Sequence, residues 1–309
     1  MHFDMHTMLE IINTLKQELN SSDSLSFEVL NPDVRNSSYA GEIVNIENKT
    51  YLYRGYKAWS DLAQLLYCKM QTPTLVSEHI VRLHFVKLNT KASFHTKSVE
   101  SKEEKYGSDS HFFNIHKNEE PVFIHAYSQA LKNVKIQNRK RVLNLGINRG
   151  DEFDVIKEMI SEDEFKEIDL VGIDHSQSAI DYAQERFKTK TFHQHDINTI
   201  DELNLDRFDL IVSIGTLQTP GINFKLFFNS LIQNYLSKDG AVILGFPNSR
   251  WMGGEMVYGA KIPNYSDSDL SLLFKDVYYC KKYLQQKKFR VRLTGRDYIF
   301  LTATKININ

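Results

Sequence analysis

Two patterns of apolar positions divide the chain into two parts. From residue 140 onward, apolar runs of strand length alternate with helical patterns, and we predict strands near 141–145, 169–173, 190–194, 208–213 and 241–246. Such alternation implies right-handed crossovers and a mostly parallel sheet with helices on both faces. The chain ends differently, because apolar runs at 289–295 and 298–303 flank a short turn and predict a terminal antiparallel hairpin.

The amino-terminal part has shorter and more mixed elements. Thr7 and Glu10 have the spacing of a capping box before apolar positions, which predicts a helix over roughly 7–19. A second helical spacing covers 56–70, and residues 80–88 alternate apolar and basic side chains, as a strand with one polar, positive face does. Three further strands, the last two forming a hairpin, are predicted at 25–30, 42–46 and 50–54.

A polar segment separates the two parts. Residues 97–110 are charged and show no apolar periodicity, which favours a linker or a mobile loop. The segment 118–121 then combines a capping asparagine, two acids and a proline, and it predicts the start of a helix over 119–132. We therefore expect an α+β domain over 1–110 that selects substrate or mediates association, and a larger α/β domain over 111–309.

Composition and charge narrow the class of protein. The chain has 309 residues, 41 % apolar and 25 % charged, as soluble globular proteins do, and its net charge of −1 argues against a nucleic-acid coat protein. Cys68 and Cys280 lie far apart without metal-ligand spacing, so we expect a reduced, cytoplasmic protein without a metal site. We expect no signal peptide and no membrane partner, since no apolar run approaches the ~18 residues of a membrane span.

The candidate chemistry lies where the first strand of the larger domain ends. Residues 142–145 run into a turn that contains Gly146, Asn148 and Gly150, and a helical pattern follows. Glycine has no Cβ, so such a turn lets backbone N–H groups approach a ligand closely, and asparagine tolerates positive φ. Asp174 closes the next apolar strand, where its carboxylate would accept from ribose hydroxyls. Together they predict a nucleoside-containing cofactor at the strand ends.

Five motifs in order give residues 140–305 a resemblance to the class I S-adenosylmethionine-dependent methyltransferases. The turn resembles the family's first motif, with asparagines at 144 and 148 where the family has an acid and its middle glycine. Asp174 matches the ribose-binding acid, and the later motifs are matched at 195–197, 208–218 and 236–244. The resemblance implies a seven-stranded, mostly parallel, Rossmann-like sheet that ends in an antiparallel hairpin.

The resemblance also implies which residues hold the cofactor, S-adenosylmethionine. Asp196 would accept from the adenine amine while Ile197 packs on the base, and Asn144 stands where an acid helps to position the methionine end. The full set that the resemblance places around the cofactor is Asn144, Gly146, Asn148, Gly150, Asp174, His175, Asp196, Ile197, Ile214 and Gly215.

The substrate side is less constrained, because methyl transfer from a sulfonium mainly requires that the nucleophile be positioned. Residues 245–263 form a long loop, rich in glycine, aromatic and ionisable residues, that leaves a strand end. We expect Arg250 to bind an anionic group, Trp251 to stack on substrate, and Glu255 or Tyr258 to transfer a proton. A structural loop with aromatics in a satellite core is the alternative. The predicted substrate contacts are Gln218, Arg250 and Trp251.

These observations favour methylation of an oxygen, nitrogen or sulfur nucleophile on a small molecule. Basic residues concentrated between Lys281 and Arg296 keep RNA as an alternative substrate, and a homodimer is compatible with both. Two other functions stay open. The asparagines at 144 and 148 leave room for a degenerate binding or scaffold protein. A nicotinamide-dependent dehydrogenase is disfavoured by the glycine spacing and by the terminal hairpin.

Overall fold

The computed structural model describes residues 1–35, 38–89, 107–260 and 267–306. The chain divides into two units, the first built from Met1–Ser93 and Trp251–Val257, the second from Phe94–Arg250 and Tyr258–Asn309. Most of the predicted linker, residues 97–106, lies outside the described residues, as do 261–263 of the long loop. No helix in the described ranges is both long and apolar enough to cross a bilayer.

The first unit is an α+β arrangement. One sheet has the strand order β1-β2-β7-β5, with β6 paired to β7, and β3 and β4 form a separate antiparallel hairpin, as predicted. The elements are β1 (His2–Phe3), α1 (Met8–Leu19), β2 (Ser24–Leu30), β3 (Ile43–Ile46), β4 (Lys49–Leu52), α2 (Tyr56–Leu65), β5 (Cys68–Met70), β6 (Thr74–Leu75) and β7 (Ile80–Lys87).

The predicted start of α1 agrees with the structure, whereas the predicted end of α2 does not. The capping box is confirmed, since the Thr7 hydroxyl accepts from the Glu10 amide at 3.3 Å and the Glu10 carboxylate accepts from the Thr7 amide. The helix predicted over 56–70 instead ends at Leu65. Tyr67 has a φ of +53°, which breaks the helix, and the next three residues pair with β7 as strand β5.

The remaining elements include the large sheet. Its strand order is β10-β9-β8-β11-β12-β16-β15, parallel except where β16 runs antiparallel to β12 and β15, so the predicted fold class is confirmed. The strands of this sheet are β8 (Arg141–Leu145), β9 (Asp169–Asp174), β10 (Thr191–Gln194), β11 (Phe208–Ile214), β12 (Leu236–Pro247), β15 (Phe289–Thr294) and β16 (Tyr298–Lys305). A separate two-stranded sheet is formed by β13 (Ser249–Met252) and β14 (Glu255–Tyr258). The helices are α3 (Pro121–Asn133), α4 (Asp151–Met159), α5 (Glu162–Glu167), α6 (Gln177–Arg186), α7 (Phe224–Ser230) and α8 (Ser271–Gln286).

Alternating strand residues bury both faces of this sheet. Val142 and Leu210 belong to one core, where α3 and α4 contribute the buried rings of Phe123, Tyr127 and Phe153. Their neighbours along the strands, such as Leu143 and Ile211, belong to the other core, to which α7 and α8 contribute Phe228, Cys280 and Leu284. Continuous apolar runs are what strands buried on both faces require.

The start of α3 corrects one prediction. Asn118 does not cap this helix, which begins at Pro121 after Glu120 without a side-chain cap. The Asn118 amide instead donates to the carbonyl oxygen of Asp151 at 2.8 Å, at the first turn of α4. Proline does occupy the first helical position, where its missing N–H costs nothing.

Candidate functional site

The turn after β8 contains three residues in the left-handed region. Gly146, Asn148 and Gly150 have φ values of +72°, +46° and +87°. The positive φ predicted to be accessible to Asn148 is therefore confirmed, and this residue adopts the conformation that its side chain tolerates better than most. Because the strands of the sheet are parallel, this turn lies at the edge where β9, β11 and β12 also end.

Gly146 is required by close packing as well as by its φ. A Cβ at this position would lie 2.0 Å from Thr216 Oγ1 and 2.8 Å from Thr216 Cγ2. Thr216 is itself fixed, since its hydroxyl donates to the Leu145 carbonyl oxygen at 3.0 Å. The Gly146 amide donates to the Ile173 carbonyl oxygen at 2.8 Å, which ties the turn to β9.

Asp174 ends β9 and is 5 % exposed. One carboxylate oxygen accepts from the Asn148 amide at 2.8 Å, and the other accepts from the Ser176 amide at 3.1 Å. The ring of His175 lies beside it, with Nδ1 at 3.3 Å. Asp174 therefore holds the turn in place, a role that the sequence did not reveal. A carboxylate has about four acceptor sites, so acceptor capacity remains for ribose hydroxyls.

Asn144 is the most unusual buried residue of this region. It is 1 % exposed, and neither Oδ1 nor Nδ2 of its amide has a hydrogen-bond partner among the described residues. The side-chain oxygen of Gln218 is also buried and also has no hydrogen-bond partner among the described residues. Since a buried polar group without a partner costs about 1–3 kcal/mol, such atoms indicate a polar ligand or water. An amide that can both donate and accept fits the amino-acid end of S-adenosylmethionine.

The predicted adenine contacts lie at the start of a 3₁₀ helix, Ile197–Leu203. Asp196 caps this helix, because its carboxylate accepts from the backbone and side-chain amides of Asn198 at 2.9 and 3.0 Å. Ile197 is 8 % exposed and packs in the core that contains Ile211. The contribution of both residues to adenine binding stays a prediction.

Tyr298 borders the exit of β11, and the sequence analysis missed it. Gly215 follows Ile214 with a φ of +75°, and a Cβ on it would lie 4.0 Å from Tyr298 Cε1. Tyr298 opposes Pro247 in the β12–β16 pairing, which places it at the same sheet edge as the turn. Burial raises the pKa of the Tyr298 hydroxyl, so it stays protonated at neutral pH.

A buried ion pair lies close to Tyr298. Lys117 Nζ and Glu152 Oε1 are 3.4 Å apart, and their side chains are 14 % and 5 % exposed. The ring of Phe123 lies 5.5 Å from Lys117 Nζ and packs edge-to-face on Tyr298. Burial raises the pKa of the Glu152 carboxyl, and the ammonium of Lys117 opposes this effect. No local sequence motif predicts this ion pair, because Lys117 lies before α3 and Glu152 lies on α4.

Arg149, in the middle of the turn motif, ties residues 107–119 to the turn. Its guanidinium lies over the rings of Phe113 and Tyr182, at 5.1 and 5.4 Å from their centroids. It donates to the Phe113 carbonyl oxygen at 2.7 Å and contacts His116 Nε2 at 3.0 Å. The segment before α3 is therefore held against the turn.

The predicted substrate residues occupy different environments. Arg250 donates to the Gly259 carbonyl oxygen at 3.2 Å, and Trp251 is half-buried. Glu255 and Trp251 belong to the first unit, where Glu255 forms an ion pair with Lys69 at 2.7 Å. Tyr258 is 43 % exposed. The roles of these residues in binding substrate and transferring a proton stay predictions.

Comparison with known proteins gives one family match. Residues 136–269 match the family model of a methyltransferase domain, a range that includes the turn, Asp174, Asp196 and Gly215. No curated protein matches the chain.

Several solved structures are similar to this chain at low identity. The CurJ carbon methyltransferase is 14 % identical over 60 % of this chain and 55 % of its own length, with a TM-score of 0.42, so this chain spans about half of it. The plantazolicin methyltransferase BpumL, in complex with SAH, is 14 % identical over 66 % of this chain and 94 % of its own, with a TM-score of 0.48. Magnesium protoporphyrin IX methyltransferase from Synechocystis PCC 6803, with bound SAM, is 14 % identical over 62 % and 86 %, with a TM-score of 0.39.

Proposed function

We propose that the protein is a class I S-adenosylmethionine-dependent methyltransferase, with residues 136–269 matching a methyltransferase domain, and that it methylates an oxygen, nitrogen or sulfur atom of a small molecule. S-adenosylmethionine is the cofactor of this domain. The family match argues against the dehydrogenase alternative. The identity of the substrate, the atom that is methylated and the groups that transfer a proton are part of the proposal and are not given by the family match.

The observation that carries the proposal is the turn after β8 together with the polar side chains of Asn144 and Asp174. When bound, S-adenosylmethionine supplies an electrophilic methyl group on its sulfonium sulfur. We propose that the buried, unpartnered amide of Asn144 pairs with the amino-acid end of the cofactor. The remaining acceptor sites of Asp174 would receive the ribose hydroxyls, and Asp196 with Ile197 would contact adenine.

On the substrate side, the proposal uses the segment that leaves β12. Trp251 offers a half-buried aromatic face, and the guanidinium of Arg250 carries the positive charge that an anionic group of the substrate would need. Gln218 follows β11 and carries a buried oxygen without a partner, which a donor on the substrate would satisfy. Glu255 would accept a proton from the nucleophile only after separating from Lys69, and Tyr258, which is 43 % exposed, is the other candidate.

RNA is a second candidate substrate, because one observation favours it. In the basic run from Lys281 to Arg296, Lys281 and Lys282 lie on α8 and Arg290 and Arg292 on β15. None of these four forms an ion pair with a described residue. Such a surface attracts phosphates. The net charge of −1 for the whole chain keeps a small molecule as the preferred substrate.

The experiment follows a labelled methyl group. Purified protein is incubated with methyl-tritiated S-adenosylmethionine and a cell extract separated into small molecules, RNA and protein. We expect label to enter the small-molecule fraction, and Asp174→Ala to abolish it. Label on RNA would replace the proposed substrate by the second candidate. Absence of label from every fraction, with the cofactor still bound, would support the scaffold interpretation.

A further inference from the structure

Arg54, in the first unit, is a buried cation that forms no ion pair with a described residue. It lies between β4 and α2 and is 5 % exposed. One terminal nitrogen, Nη2, donates to the carbonyl oxygen of His6, whereas the other, Nη1, is buried and has no partner among the described residues. Burial lowers the pKa of Arg54 from its usual range. A guanidinium does not deprotonate in proteins, and its charge therefore needs compensation.

Trp59 supplies a second buried donor at the same place. It is 1 % exposed, and its Nε1 has no hydrogen-bond partner among the described residues. The guanidinium carbon of Arg54 lies 5.6 Å from the centroid of the Trp59 ring. This cation–π contact uses the face of the indole, and it leaves both N–H groups unpaired. Two donors and one positive charge therefore share one buried region.

The start of α2 adds to the same electrostatic field. The N-cap residue of α2 is Gly55, the residue after Arg54, and glycine has no side chain that could cap the helix. The first turn of α2 contains no acidic residue. The positive end of the helix dipole is therefore not balanced by a local carboxylate. The two donors without a described partner and the uncapped start of α2 favour an anion.

We infer that a small oxyanion, a carboxylate or a phosphate, binds at the edge of the Arg54–Trp59 contact, next to the two donors. One anion oxygen would accept from Arg54 Nη1 and another from the indole N–H of Trp59. Because both donors are buried, the ligand is small or is the terminal group of a larger molecule. This site is independent of methyl transfer, and its test needs neither substrate nor cofactor.

Tryptophan fluorescence tests the site, because the chain has only two tryptophans. In a Trp251→Phe background, Trp59 is the sole reporter. Sodium phosphate and sodium acetate are titrated in separate arms at constant ionic strength, with sodium chloride as the balancing salt. We expect a saturable change of Trp59 emission with one anion or both, and the responding arm identifies the ligand class. Arg54→Gln should abolish the change. Arg82→Gln, which removes an exposed arginine paired with Glu28, should preserve it.

A direct measurement covers the case in which Arg54→Gln does not fold. The indole N–H resonance of Trp59 is followed by ¹H–¹⁵N NMR in the otherwise unchanged protein. Hydrogen bonding to an anion should move this resonance downfield, with saturation at the same concentration as the fluorescence change. A resonance that neither phosphate nor acetate moves would overturn the inference, as would an equal fluorescence response in folded Arg54→Gln.

Discussion

Replacing Gly146 by alanine perturbs the turn at its tightest point. The new Cβ would be placed 2.0 Å from Thr216 Oγ1, 2.8 Å from Cγ2 and 2.9 Å from Cβ, distances that force one of the two segments to move. Thr216 cannot rotate away without losing its hydrogen bond to the Leu145 carbonyl oxygen. The φ of +72° adds strain of its own for a residue with a side chain.

The size of the effect follows from two separable contributions. A left-handed conformation costs a non-glycine residue about 1–2 kcal/mol, and overpacking of a tight site adds about 1–3 kcal/mol. Gly221 provides the matched control, since its φ is +101° but no atom lies within 4 Å of the Cβ it would carry. Gly221→Ala should therefore cost only the strain, whereas Gly146→Ala should cost about 2–5 kcal/mol in total.

Urea unfolding of the two variants measures these free energies, and calorimetric titration with S-adenosylhomocysteine measures the turn's ability to bind. We expect Gly146→Ala to weaken binding at least about tenfold and Gly221→Ala to leave it unchanged, since a displaced turn no longer presents its N–H groups. Adding Thr216→Ala should restore part of the stability, because only the contact with Thr216 Cβ remains. Equal stability and affinity in both single variants would refute this reasoning.

Two further predictions concern titration and reactivity. Burial raises the folded-state pKa of Glu152, so the folded protein retains a proton that the unfolded chain releases, and stability falls as pH rises above the ordinary value of 4.5. Urea unfolding between pH 4.5 and 7 should show this loss relative to Glu152→Gln, and a difference that does not change with pH would contradict it. Burial raises the pKa of Cys68 to about 11 and that of Cys280 further, so neither thiol should react with Ellman's reagent at pH 8 before unfolding. Rapid reaction of the native protein would show that these thiols are accessible.

Local signals in the sequence were sufficient for most elements of the fold. The capping box at Thr7 and the alternating apolar runs depend on neighbouring residues, and the structure confirms both. The helix predicted over 56–70 failed because its last residues pair with β7, a strand more than ten residues later. Asn118 failed as a cap for a similar reason, since its partner is the Asp151 carbonyl oxygen. Distant partners override local propensity at these two places.

The candidate site was predictable only where it follows a motif. The positive φ of Asn148 could be anticipated from the glycine turn, and the structure confirms it. The two backbone amides that Asp174 accepts from, one of them 26 residues earlier, could not be anticipated, because a carboxylate after a strand is compatible with several partners. Tyr298 and the Lys117–Glu152 pair meet only through the folded sheet and its helices, and no spacing in the sequence encodes them.

The most direct test of the account is a calorimetric titration of the purified protein with S-adenosylmethionine, S-adenosylhomocysteine and NAD. We predict that the first two bind with a stoichiometry near one and that NAD does not bind. Asp174→Ala should weaken binding at least about tenfold, which is about 1.4 kcal/mol. Binding of NAD alone, or of none of the three, would contradict a methyl-donor site at the turn after β8.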